Sequence, residues 1–309
     1  MRIHLIGLCA LALTACAAQN SGPTYVLPDA RALLAIHPVA RWTKTSIGKF
    51  ADPYGVSVHP NCTGSCDVFV SDPGKKTVYV VHPDGSRAPI ADFSSIGPNF
   101  DPQGISVSQD GHIYVADKAP GGVSYVWSVA GVGGALSRLN TSFANFPRYN
   151  RAVAAESHYV NGNDQVRAVY GAQATHFPLT HHGRVECLFG GSCAFHVTDF
   201  NDPYGVAIDR KGIPVVIDAR DKKAYRCTGG GNIIDLGGTF VDPYGIAETN
   251  DGQYVYVADA GAKKVYERAP DGTWTEIGAF VDPYSVTVQA DRTVYVADHG
   301  DGNVYKLTP

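Results

Sequence analysis

Short runs rich in Val, Ile, Tyr and Phe alternate with turn residues along this chain from about residue 40 onward. One phrase, Asp52-Pro53-Tyr54-Gly55-Val56-Ser57-Val58, returns four times in clear form. The copies are Asp101-Pro102-Gln103-Gly104-Ile105-Ser106-Val107, Asp202-Pro203-Tyr204-Gly205-Val206-Ala207-Ile208, Asp242-Pro243-Tyr244-Gly245-Ile246-Ala247 and Asp282-Pro283-Tyr284-Ser285-Val286-Thr287-Val288. A worn copy, Phe146-Pro147-Arg148-Tyr149-Asn150, lies between the second and third and makes six. A second phrase, ending in Asp72, Asp117, Asp218, Asp259 or Asp298, follows each clear copy about 15 residues later. A third, such as Thr77-Val78-Tyr79-Val80 or Asn303-Val304-Tyr305, completes the unit. β-Branched and aromatic runs bounded by turns such as Asp110-Gly111, Asp251-Gly252 and Asp271-Gly272 predict small antiparallel sheets.

A lone sheet of this kind has two apolar faces and cannot bury both. Stacking such sheets in a ring buries them and leaves only short edges. The expected fold is therefore all-β, a six-bladed β-propeller over residues 40–309, with a degenerate blade at 140–199. Small residues at Ser57, Ser106, Ala154, Ala207, Ala247 and Thr287 suit the crowded innermost strands. The last unit has a third strand and no fourth, while Ala40 to Thr45 belongs to no repeat. That stretch is expected to complete the final blade, since an unpaired edge invites aggregation.

Composition supports this picture. Hydrophobic residues are 44% of the 309 and charged residues 17%, enough for a core and too ordered a mixture for disorder. All but five of the 29 acidic residues are Asp, which favours turns over helix surfaces. A net charge of −4 argues against a nucleic-acid partner.

The N-terminus carries a different message. Arg2 precedes the apolar run Leu5 to Leu13, too short to cross a membrane and suited to a signal peptide. It ends in Leu13-Thr14-Ala15-Cys16, which resembles the lipobox of bacterial lipoproteins. The resemblance implies a leader at 1–15, lipidation of Cys16, a tether at 16–39 and a bacterial envelope location. Ala17 after the Cys implies the outer membrane. Several acyl chains would hold such an anchor stably.

The repeat phrases themselves, Pro-x-Gly-Val-x-Val followed by Ile-Tyr-Val-Ala-Asp, resemble the NHL family of six-bladed propellers. The likeness is clear in five repeats and poor over residues 140–199.

In an exported chain disulfides are the default for Cys. Cys62 with Cys66, and Cys187 with Cys193, are expected as local staples, each contributing about 2 kcal/mol by loop closure. Cys227 is left as a buried thiol unless it takes Cys187 or Cys193.

Alternating strand direction brings the Asp-Pro-Tyr turns and the Asp-ended strands to one mouth of the central channel. There Tyr54, Gln103, Tyr149, Tyr204, Tyr244 and Tyr284 form a near-ring suited to a protein, peptide or glycan partner; the competing reading is that the rings pack on neighbouring blades. Lysine pairs at 75–76, 222–223 and 263–264 could meet an anion or simply guard hairpin ends. His176, His181 and His182 could hold a metal at the rim or lie in a solvated loop. The regular Asp row reads as backbone capping.

No nucleophile elbow, phosphate loop or His-Glu-x-x-His occurs. The functional expectation is a membrane-anchored, non-enzymatic binding protein without a cofactor. The alternative is a lyase- or lactonase-like enzyme with one divalent metal ion, using Glu156, Glu248 and His181 or His182.

Overall fold

The computed structural model describes residues 42–109, 111–118, 125–129, 135–139, 148–160, 163–175, 183–189, 197–228 and 232–309. Between 148 and 200, side chains are described only at 152–155, 172, 185 and 200. The leader, Cys16 and the tether lie outside the described residues, as do His176, His181, His182, Cys193 and the side chains of Tyr149, Glu156 and Cys187.

Among the described residues, all regular structure beyond two short 3-10 turns is strand. Among the described residues no helix is long and apolar enough to cross a membrane. The strands form six four-stranded antiparallel sheets. The chain opens with β1 (Thr43–Lys49). The first sheet is β2 (Gly55–Val58), β3 (Val68–Asp72), β4 (Thr77–Val81) and β5 (Arg87–Asp92). The second is β6 (Asp101–Val107), β7 (Ile113–Lys118), β8 (Val126–Val129) and β9 (Leu136–Arg138). The third is β10 (Arg148–Val160), β11 (Asn163–Thr175), β12 (Gly183–Phe189) and β13 (Val197–Phe200). The fourth is β14 (Pro203–Ile208), β15 (Pro214–Asp218), β16 (Lys223–Thr228) and β17 (Asn232–Asp235). The fifth is β18 (Pro243–Glu248), β19 (Val255–Asp259), β20 (Lys264–Arg268) and β21 (Trp274–Ala279). The last joins β22 (Pro283–Val288), β23 (Val294–Asp298) and β24 (Asn303–Thr308) to β1.

Five of these sheets are regular blades built on the repeat. The third departs from it, with its first two strands 13 residues long each. The expectation of six like blades therefore holds for five, and the worn copy folds into a sheet of different proportions.

Core side chains sit between successive sheets. Val216 packs toward the third sheet while Val215 and Ile217 pack toward the fifth, so β15 is buried on both faces. That explains its unbroken apolar run, since alternate strand residues point to opposite sides. The same alternation seats Val78 and Val80 against Ile113 and Val115, and Val56 and Val70 against Tyr295 and Val304.

The turn glycine is fixed by the neighbour. A Cβ on Gly205 would lie 2.6 Å from the Tyr244 carbonyl oxygen, and one on Gly245 2.8 Å from that of Tyr284. Ser285 occupies the same repeat position in the last sheet, and its Oγ accepts the Val56 N–H at 3.2 Å.

Ring closure falls a few residues later than the sequence placed it. β1 pairs antiparallel with β24 from Thr43 opposite Thr308 to Lys49 opposite Asn303. Trp42, just before it, packs edge-on against Tyr256 at 6.5 Å. Cys62 and Cys66 are disulfide-bonded, and Cys227 is a buried free thiol.

Candidate functional site

The upper mouth is built by carboxylates at the ends of the second strands. Asp72 accepts the N–H groups of Ala51 and Asp52 at 3.0 and 2.9 Å. Asp259 holds Val241 and Asp242 at 2.8 and 2.9 Å, and Asp298 holds Val281 and Asp282 at 2.8 and 2.7 Å. Asp218 gathers four donors, the N–H groups of Asn201, Asp202, Arg220 and Asp221. Each of these carboxylates is buried. They reach beyond their own loops to fix the tyrosine turn that precedes the inner strand, so the regular row is the scaffold of the site.

Asp117 departs from its siblings. It accepts Tyr125 N–H at 2.7 Å and the Trp127 indole N–H at 2.6 Å, and burial raises its carboxyl to about 6 from a usual 3.8. A folded state that binds a proton more tightly than the unfolded chain is most stable below about pH 4 and loses that contribution as pH rises through about 6. Asp117→Asn is expected to flatten this part of the stability curve, read from urea midpoints across the same range.

Tyr54, Tyr204, Tyr244 and Tyr284 are half-buried and meet one another. Ring centroids are 4.3 Å apart for Tyr204 and Tyr244, 4.7 Å for Tyr244 and Tyr284, and 5.3 Å for Tyr54 and Tyr284. The Tyr54 and Tyr204 hydroxyls lie 2.7 Å apart and close the circuit. Tyr244 donates to Asp242 at 2.6 Å. Burial, then Tyr204 and the carboxylates of Asp282, Asp242 and Asp52, push the Tyr284 phenol up to about 12. The Tyr244 and Tyr284 phenols are therefore neutral at physiological pH. Gln103, which stands in the second repeat where the others have Tyr, offers its main-chain carbonyl to the Ser71 hydroxyl. The Tyr149 side chain lies outside the described residues.

His299 was not singled out in the sequence. Its Nδ1 pairs with Asp52 Oδ1, its ring lies 4.9 Å from Tyr284, and its N–H donates to the Asp282 carbonyl at 3.0 Å. The signal lay in the repeat: the residue after the strand-ending Asp is Pro73, Lys118, Ala219 or Ala260 elsewhere, and an imidazole stands there in the last repeat alone. A symmetric scaffold makes the exception informative.

No family model matches this sequence, and no curated protein does. Solved structures do. A gluconolactonase from Xanthomonas campestris matches with a TM-score of 0.64 at 13% identity, covering 85% of this chain and 88% of that one. A calcium-binding protein, regucalcin, from Agrobacterium tumefaciens matches at 0.61 and 12%, covering 86% and 93%. Virginiamycin B lyase from Staphylococcus aureus matches at 0.56 and 12%, covering 87% and 99%. The fold is a β-propeller. At these identities the likeness establishes the architecture alone.

Inside the propeller the inner strands of all six sheets line a cavity of about 130 Å³. Ser57 Oγ accepts the Val107 N–H and Ser106 Oγ the Ala155 N–H, each at 3.1 Å, so these serines stitch neighbouring inner strands together. Glu248 is committed elsewhere. Its side chain is fully buried, its Oε2 takes Arg226 at 3.0 Å, and burial raises its carboxyl well above the usual range. Among the described residues no three His, Cys, Asp or Glu side chains are placed to hold a metal.

The lysines split by role. Lys76 reaches Asp101 at 2.7 Å and the Pro98 carbonyl at 2.8 Å, while Lys223 and Lys264 pair with Asp235 and Glu276 on the outer strands. Lys75, Lys222 and Lys263 are exposed on the rim.

Proposed function

We propose that this propeller is a lipid-anchored envelope protein that binds a protein, peptide or glycan partner on its tyrosine face and is not an enzyme. The observation that carries this reading is the packed tyrosine cluster. The four rings pack on one another at the mouth of the cavity they help to line, and so present a broad aromatic face there. Val241 and Val281, 53% and 47% exposed, extend the apolar surface beside it. Tyrosine-rich faces with an apolar centre suit macromolecular partners.

In this reading Cys16 carries the lipid, residues 16–39 form the tether, the outer membrane is the address, and the third sheet is the worn sixth blade of an NHL-like ring. Two residues favour a second reading, in which lactonase- or lyase-like chemistry occurs at this mouth: His299 is held at Nδ1 by Asp52 on the mouth, an arrangement that can serve acid–base work.

One experiment addresses both. Detergent-extracted full-length protein is cross-linked to its envelope partners, with and without Val241→Glu and Val281→Glu. Capture is expected to fall about thirtyfold, the effect of losing about 2 kcal/mol from a central contact. Ile234→Glu, on the exposed outer strand β17, should leave capture unchanged. Equal capture by all three proteins would defeat the binding reading. Turnover of a δ-lactone by the same samples, lost in His299→Ala, would favour the enzyme.

A further inference from the structure

The lower end of the channel is crossed by a segment that the repeat does not require. Nine residues, 59–67, join β2 to β3. The matching connections are five residues long at 108–112, 209–213 and 289–293, and six at 249–254. The extra length is spent on contacts with other sheets. His59 Nε2 meets the Gln109 carbonyl of the second sheet at 2.8 Å. Asn61 Oδ1 accepts Asn250 Nδ2 of the fifth sheet at 2.7 Å. The Cys62 carbonyl accepts the Ala290 N–H at 3.1 Å, and the Gly64 N–H donates to Asp291 Oδ2 at 2.8 Å, both in the last sheet. Pro60 lines the channel itself. The loop thus touches three sheets besides its own, and reaches past the last sheet to the fifth.

Cys62 and Cys66 close this loop on itself. A five-residue ring removes much of the freedom of residues 62–66, so the Cys62 and Gly64 contacts with the last sheet are made by a segment already held near its bound shape, and Asn61 is tied directly to it.

We propose that residues 59–66 are a strap across the lower mouth of the propeller, and that the Cys62–Cys66 disulfide locks it, placing the channel's lower opening under redox control. The tyrosine cluster lines the other end of the same cavity, so release of the strap opens the lower end. The chemistry is thiol–disulfide exchange with a dithiol reductant. Cys66 is buried and Cys62 half-exposed, so a reductant thiolate attacks Cys62 Sγ and Cys66 leaves as a thiolate. The reductant's second thiol then displaces Cys62, leaving both cysteines as thiols and the reductant as a disulfide. The reverse exchange with a disulfide oxidant returns that reagent to its dithiol form, restores the Cys62–Cys66 bond and closes the strap again. Serine, threonine and main-chain groups along the inner strands make the opened channel a path for small polar solutes. The proposal does not depend on what the tyrosine face binds.

The test uses the full-length protein and two readouts. Hydrogen exchange is followed in peptides spanning 59–66 and 286–293, in oxidised protein and in protein reduced in place with a dithiol. Both regions are expected to exchange about thirtyfold faster after reduction, the gain from freeing a five-residue ring, while 241–245 on the upper face stays unchanged. Separately, Thr287→Cys places a thiol on the channel wall. Its labelling by a small methanethiosulfonate should be about thirtyfold faster when combined with Cys62→Ser and Cys66→Ser than in the oxidised background. Exchange in the strap that changes by less than about twofold on reduction overturns the lock. Equal labelling rates in the two backgrounds overturn the seal. The first readout needs no Cys substitution, so a variant that fails to fold still leaves the proposal open to refutation.

Discussion

Gly205→Ala is expected to lower the melting temperature by about 9 °C, although it adds one methyl group. Overpacking a tight contact costs about 3 kcal/mol at the upper end of the usual range, and a domain of this size loses roughly 3 °C per kcal/mol. The added Cβ would stand 2.6 Å from the Tyr244 carbonyl oxygen and 3.0 Å from Ile217 Cγ2. The first neighbour is backbone of the next inner strand, which can move only by tilting a whole sheet. A rotamer change cannot relieve the contact. Gly245→Ala should behave alike, since its Cβ would meet the Tyr284 carbonyl at 2.8 Å. Ser285→Gly makes the opposite case. It removes only the bond to Val56 N–H, worth about 1 kcal/mol. Differential scanning calorimetry of the three variants checks the ranking. A melting temperature for Gly205→Ala within about 2 °C of wild type would mean that adjacent sheets are held less closely than the structure places them.

A larger loss is expected from Asp218→Ala. Four main-chain N–H groups converge on this carboxylate, and removing it strands them in a buried corner. A stranded buried donor costs about 1–3 kcal/mol, and partial rehydration at the mouth reduces the sum, so about 4 kcal/mol is expected. Asp218→Asn retains one acceptor oxygen and should lose about half as much. The effect should reach the tyrosine face, because Asn201 and Asp202 lead directly into Tyr204. Urea unfolding gives the energies, and the ultraviolet absorbance of the tyrosine cluster reports the mouth. Equal stability of Asp218→Ala and wild type would show that the strand-ending row is not what holds the turns.

The strand plan was legible because it is local. Apolar phrases and turn residues name the sheets, and small residues at Ser57, Ala207 and Ala247 mark the inner strands. The Asp row was legible as capping, since repetition argues for scaffold. What the periodicity cannot carry is the identity of a neighbour. Tyr204 and Tyr244 share a repeat position, and nothing in their spacing says that their rings come within 4.3 Å. Glu248 looked like a channel carboxylate from its strand position, but the alternation of the strand turns it to Arg226 on the preceding sheet. Cys62 and Cys66 read as a local staple within residues 59–67. The partners of that loop at Gln109, Asn250 and Asp291 are set by the ring and not by the loop's own sequence. His299 was hidden for a simpler reason: its role shows only when the repeats are aligned and their exceptions are read.

Pairing of β1 with β24 has a temporal consequence. Ser46 meets Asn303 at a sequence separation of 257. Contacts this remote in sequence carry the largest loop-closure penalty and form late. During synthesis Thr43–Lys49 emerges early and waits as a solitary strand until Asn303–Thr308 arrives. The circle cannot shut around an unfinished polypeptide, so a partly made chain stays open until its last strand is present.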